Sequence, residues 1–280
     1  MYQILSTKTL NPSVRMMVVK APLVAKKAEP GQFIVLRVDE YGERIPLTVA
    51  DYDRAAGTVT IIFQVVGATT SMLAEKQAGD SLTDFAGPLG TASHLEGIRK
   101  AAVIGGGVGC AIAWPQAKKL HDTGAQVDVI AGFRSKDIII LEDELESAST
   151  RLFLTTDDGS NGRKGFVTDV LRGLLESGEK YDEVIAIGPL IMMKMVCQLT
   201  KSYGVKTVVS MNPIMIDGTG MCGGCRVTVG GKMKFACVDG PDFDGHEVDF
   251  DETMRRNRMY QPQERTALDK WKCNLIKETK

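Results

Sequence analysis

Histidine and tryptophan are scarce: the 280 residues hold three of the first and two of the second. His94, His121 and His246 show no ligand spacing, which argues against a histidine metal centre. No Ser-His-Asp or paired-carboxylate pattern accompanies them, so nothing points to hydrolytic acid–base chemistry. Excess charge is also missing. Lys and Arg number 34 against 35 Asp and Glu, a net charge of −1, and this leaves no electrostatic footprint for nucleic acid or an anionic membrane. Long apolar runs are lacking as well. One of the longest, Ala101 to Trp114, is broken by Gly105-Gly106-Gly107 and is too short to span a bilayer. The opening residues, Met1 to Lys8, lack the apolar stretch of a signal peptide, and a cytoplasmic chain is expected. In that compartment the six cysteines are thiols or ligands, not disulfides.

The length suits two domains, and 44% hydrophobic residues support a full core. Residues 1–98 read as β-runs at 14–20, 33–38 and 58–66, punctuated by Pro30-Gly31 and Ala56-Gly57, with one helix near 71–76. That spacing predicts a small antiparallel barrel. Residues 99–212 alternate strands and helices, the pattern of a parallel sheet covered on both faces. Strands are expected at 100–104, 127–130, 151–155, 183–187 and 207–210. Helices are expected at 111–123, 141–147, 167–176 and 191–203. Residues 213–245 form a glycine-rich cysteine loop hanging from the end of this sheet. Residues 246–280 read as a charged extension with one or two helices.

Several turns carry chemistry. A strand feeding Gly105-Gly106-Gly107-Val108-Gly109 and then a helix presents unpaired N–H groups to a phosphate. Close helix–strand packing would demand the same glycines. Thr156-Asp157-Asp158-Gly159 and Gly188-Pro189 follow two further strands, where ligands of open parallel sheets bind. Asp157 or Asp158 can accept from a ribose hydroxyl or a carboxamide, and Gly188-Pro189 offers a flat surface to a nicotinamide ring. Arg134 after the strand ending at Ile130 can meet a 2′-phosphate, and no acidic residue at that turn argues positively for NAD. In the first domain, Arg44-Ile45-Pro46-Leu47-Thr48 combines a phosphate fork with a hydroxyl for a flavin ring, or is a plain turn. Val66-Gly67-Ala68-Thr69-Thr70 is a pyrophosphate site or a helix cap. Gly87-Pro88 is a binding turn or a tight connection between domains.

The strongest single motif is Asp217-Gly218-Thr219-Gly220-Met221-Cys222-Gly223-Gly224-Cys225, with Cys237 twelve residues further on. Its glycines let backbone amides turn inward and donate to sulfur, as iron–sulfur centres require. Three thiolates and the Asp217 carboxylate also suit zinc, and the spacing leaves both metals open. Cys110 and Cys197 read as small buried apolar residues.

The order of these motifs resembles the ferredoxin–NADP reductase superfamily. Within it, the chain is similar to the electron-transfer subunits of the dihydroorotate dehydrogenase type. It resembles most the small subunits of NADH-dependent reduced ferredoxin:NADP oxidoreductases. The resemblance spans nearly the whole chain and rests on residues 105–110, 156–160 and 217–225. It implies an antiparallel flavin-binding barrel, a nucleotide-binding α/β domain and a C-terminal [2Fe–2S] loop. FAD would lie on Arg44, Pro46, Leu47 and Thr48, with Gly67 and Thr70 near its pyrophosphate. NAD(H) would lie on Gly106, Gly107, Gly109, Asp157 and Gly188. Cys222, Cys225 and Cys237 would hold the cluster. Dihydroorotate-type chains have a fourth cysteine where this chain has Asp217, a departure that agrees with the transhydrogenase small subunits. A larger flavin and iron–sulfur subunit is implied as partner, with ferredoxin reached through the complex. Two alternatives remain: a dihydroorotate dehydrogenase subunit, and a nucleotide-binding module with structural zinc.

Overall fold

The computed structural model describes residues 1–278. The first seven strands are β1 (Tyr2–Asn11), β2 (Val14–Lys20), β3 (Phe33–Arg37), β4 (Ile45–Asp53), β5 (Thr58–Gln64), β6 (Ser81–Leu82) and β7 (Asp84–Leu89). They form one antiparallel sheet in the order β6-β1-β2-β5-β4-β3-β7. Its two edge strands are joined by Thr83 alone, so the sheet curls back on itself into a nearly closed barrel. Ile34, Leu36, Ile61, Phe63 and Phe85 fill the interior. Short α1 (Pro22–Ala25) and α2 (Ala68–Glu75) join the strands. β4 begins inside the Arg44–Thr48 string, which is a strand and not a turn: Phe33 pairs with Thr48 and Val35 with Pro46.

The second sheet follows from β8 (Lys100–Gly106), α3 (Cys110–Asp122), β9 (Gln126–Phe133), α4 (Glu142–Ser147), β10 (Arg151–Thr156), α5 (Val167–Glu176), β11 (Glu183–Ile187), α6 (Leu190–Ser202) and β12 (Thr207–Ser210). The order is β10-β9-β8-β11-β12, all parallel. The central strands β8 and β11 are buried on both faces, so they read in sequence as continuous apolar runs. α3 lies against β4, and Ala111, Ala113 and Ala117 share one core with Val14, Ala50 and Ile62 of the barrel. The two sheets are therefore packed as one body.

The cysteine segment does more than hang from the sheet. It folds a hairpin, β13 (Arg226–Val229) with β14 (Lys232–Phe235), and then returns as β15 (Asp242–Asp244). β15 adds to β12 antiparallel, pairing Ser210 with Asp242. A strand from the 213–245 segment is thus part of the nucleotide sheet. Beyond it, α7 (Phe250–Arg256) packs on α6 and β13, and α8 (Gln261–Glu278) reaches α2. No helix among the described residues is long and apolar enough to cross a membrane.

Candidate functional site

The carboxyl ends of β8, β9, β10 and β11 open into a cavity of about 970 Å³ whose far wall is β4 of the barrel. Gly106, Gly107 and Gly109 line it where β8 gives way to α3. Gly107 holds φ +56 with open space at its missing Cβ, so the backbone there is free to meet a ligand. Gly109 has a packing reason of its own: a Cβ would come within 2.8 Å of Gly188 Cα. Pro46, Leu47, Thr48, Arg134, Asp157, Gly188 and Pro189 also line the cavity. One continuous space thus joins the barrel string to four loops of the parallel sheet.

Other expected residues lie elsewhere. Asp158 is exposed and accepts from the Ser160 hydroxyl and amide at 2.7 and 2.9 Å, bonds that hold its carboxyl below the usual range. It braces the loop and leaves the cavity to Asp157. Gly87 sits in β7, where a Cβ would meet Ile34 Cγ2 at 2.6 Å, so packing accounts for it; neither it nor Pro88 lines the cavity. Thr70 accepts from the Val66 and Gly67 amides, each at 3.0 Å, and donates to the Gly67 carbonyl. That is a helix cap. The same turn is tied to the barrel string, because the Thr69 hydroxyl donates to Glu43, the neighbour of Arg44, at 3.2 Å. Arg44 and Val66 are exposed.

Sequence reasoning missed Phe33, Phe166, Met192, Asn212 and Met215, all on the cavity wall. Most are apolar residues that carry no motif. Met192 lies so close to Gly106 that a Cβ there would come within 2.5 Å of its sulfur. A side chain at 106 would displace Met192 and press on Pro189 Cδ at 3.0 Å.

The cysteine loop stands one side chain away. Phe33 lines the cavity, and its ring also lies beside Gly218, where a Cβ would be 3.8 Å from Phe33 Cε2. Cys225 and Cys237 are buried, with sulfurs 3.2 Å apart. Burial first, then Cys225, pushes the Cys237 thiol up to about 12, and a bound metal would favour its thiolate form. Asp217 and exposed Cys222 form a second pair: Asp217 Oδ2 accepts from the Cys222 amide at 2.8 Å and Oδ1 from the Thr219 amide at 2.7 Å. These amides, that of Thr219 foremost, hold the Asp217 carboxyl below its ordinary range. The Gly224 and Cys237 amides donate to the sulfurs of Cys222 and Cys225, each at 3.4 Å. Among the described residues, no three His, Cys, Asp or Glu side chains converge on one metal position. Two pairs of ligands suit a two-iron cluster, with two protein ligands per iron, better than a single four-coordinate zinc. Cys110 and Cys197 lie away from the loop, their thiols raised to about 12 by burial.

Known proteins share this arrangement. Residues 212–249 match the family described as the iron–sulfur cluster binding domain of dihydroorotate dehydrogenase B. A dihydroorotate dehydrogenase B (NAD+) electron-transfer subunit homolog of Thermotoga maritima is 47% identical, over 90% of this chain and 89% of its own. An uncharacterized protein from the adh 3′ region of Clostridium beijerinckii is 54% identical, over 95% of this chain and 93% of its own. A solved structure superposes with a TM-score of 0.92 and 43% identity, over 97% of this chain and 98% of that one. It comes from a study of flavin-based electron bifurcation in NADH-dependent reduced ferredoxin–NADP oxidoreductase.

Proposed function

The chain belongs to the family of dihydroorotate dehydrogenase B electron-transfer subunits and their homologues, and from that premise we propose that it carries electrons between NAD(H), FAD and a [2Fe–2S] cluster. A bound flavin supplies the conversion between a two-electron hydride donor and a one-electron acceptor. The protein's task is to hold the two ligands and the cluster in line. Pro46, Leu47 and Thr48 are the candidates for the flavin ring, with Arg44 and the Gly67 turn toward its phosphates. Gly106, Gly107, Asp157 and Gly188 are those for the nicotinamide nucleotide. Asp217 with Cys222, and Cys225 with Cys237, are those for the two irons.

The observation that carries this reading is the short step from cavity to cluster loop. Phe33 lines the cavity and its ring lies beside Gly218 of the loop, so electrons delivered in the cavity would have a short exit. A partner is needed beyond that exit. Exposed Met221 and Ile216 flank the loop and offer it an apolar contact. The partner favoured is a larger flavin and iron–sulfur subunit of a bifurcating NADH-dependent ferredoxin:NADP+ oxidoreductase, with ferredoxin reached through the heterodimer. Asp217 in place of a fourth cysteine favours it over a dihydroorotate dehydrogenase partner, and co-purification distinguishes the two.

The test is optical. The protein as isolated should absorb in the visible, and anaerobic NADH should bleach it while generating the paramagnetic signal of a reduced [2Fe–2S] centre. NADPH should act more slowly. A colourless protein carrying zinc would overturn the assignment.

A further inference from the structure

Arg256 closes α7 in the extension, outside the matched iron–sulfur domain. It is half-buried, and its Nη2 donates to the Gly224 carbonyl at 3.2 Å, between Cys222 and Cys225. It forms no ion pair among the described residues, although Glu252 stands one turn earlier on the same helix. A half-buried cation without a carboxylate is costly unless negative charge lies near. The neighbouring Asn257 donates to the Asn212 carbonyl at 3.2 Å, so the end of α7 grips both ends of the 212–224 loop. The helix is itself anchored, because Lys194 of α6 holds Asp251 at 2.7 and 2.8 Å.

We infer that Arg256 is a positioning residue for the cluster, whose cation supplies the missing counter-charge and raises the cluster's reduction potential. The inference rests on the [2Fe–2S] reading above. Reduction adds one negative charge to the loop. A fixed cation beside Gly224 favours that state, and its removal disfavours it. The guanidinium also ties down the carbonyl of the residue whose amide donates to the Cys222 sulfur.

The experiment is a redox titration of the full chain, followed by paramagnetic resonance, in native protein, R256Q and R256K. Cluster content in the native protein tests the underlying reading by itself. With the cluster present, R256Q should lose about tenfold in the reduction equilibrium, roughly 59 mV for one electron. R256K, which keeps the charge, should stay near the native potential. An R256Q potential equal to native overturns the inference, as does R256K shifting as far as R256Q. Should R256Q fail to retain iron, R256K decides alone: a native potential supports the role of charge, and a lost or shifted centre refutes it.

Discussion

Asp242 is partly exposed as a residue but turns one carboxyl oxygen out of the reach of water. Its Oδ2 accepts from the Ser93 hydroxyl at 2.5 Å and from Gln116 Nε2 at 3.4 Å. Its Oδ1 is sealed without a partner, and so is Oε1 of fully buried Gln116. Burial raises the Asp242 pKa above the ordinary value of 3.8. A group raised in the folded state stabilises the fold below its unfolded pKa and loses that contribution as pH rises through the folded pKa. Asp242 therefore makes the native protein less stable as pH climbs out of the carboxylate range. Asp242→Asn cannot ionise, and its amide nitrogen would replace the unpaired Oδ1. Its stability at neutral pH should equal or exceed the native value by about 1 kcal/mol, and the decline with pH should flatten. Urea unfolding of both proteins at several pH values measures this; parallel curves would refute it. Single residues were unevenly legible. Asp217 could be singled out because its distance from Cys222 is a property of the sequence. Asp157 and Asp158 could not be told apart, because only the turn decides which one faces the cavity.

Between elements, the starts and ends of the parallel strands divide the work. At the starts, Arg151 forks onto Asp128 with Nε–Oδ1 2.7 Å and Nη2–Oδ2 2.5 Å, and onto Glu179 at 2.8 Å. Tyr181 donates to Asp128 at 2.6 Å, and Lys100 pairs with Glu179. This network ties β8, β9 and β10 to the segment before β11, at the edge opposite the cavity. Asp128, 4% exposed, is its centre. Asp128→Asn turns an amide donor toward the guanidinium and should cost about 1–3 kcal/mol. The melting temperature should drop by roughly 2–4 °C per kcal/mol while NADH-dependent bleaching at 25 °C keeps its rate. A slowed reaction without a lower melting point would contradict this division. The same sheet explains what the sequence disclosed. β8 and β11 lie where their apolar runs put them, because burial on both faces leaves little choice of residue. β1 escaped notice because only Ile4 and Asn11 of its ten residues are buried. Its alternation carries Ser, Thr and Lys outward and looks like loop.

For the whole molecule, the decisive relation is between the barrel and the cysteine loop, which no local pattern encodes. Three residues of β15 and a glycine at 218 establish it, and neither has a periodicity to read. Gly218 holds φ +77, and a Cβ there would lie 2.8 Å from Leu89 Cδ1 and 3.1 Å from Val35 Cγ2. The loop is thus pressed onto β3 and β7 as closely as a backbone allows. Gly218→Ala must relax a left-handed conformation worth about 1–2 kcal/mol and push the loop outward against its anchors at Asn212 and Gly224. The cavity would survive, because Gly218 is not on its wall. Gly218 does adjoin Asp217, so only variant protein that keeps its iron is compared. NADH should then bleach the flavin of the variant at the native rate, while reduction of its cluster lags. Stopped-flow absorbance with freeze-quenched paramagnetic resonance follows the two events separately, on protein of native iron content. Equal lags in native and variant would mean that the contact of Gly218 with β3 and β7 does not set the rate at which electrons reach the cluster.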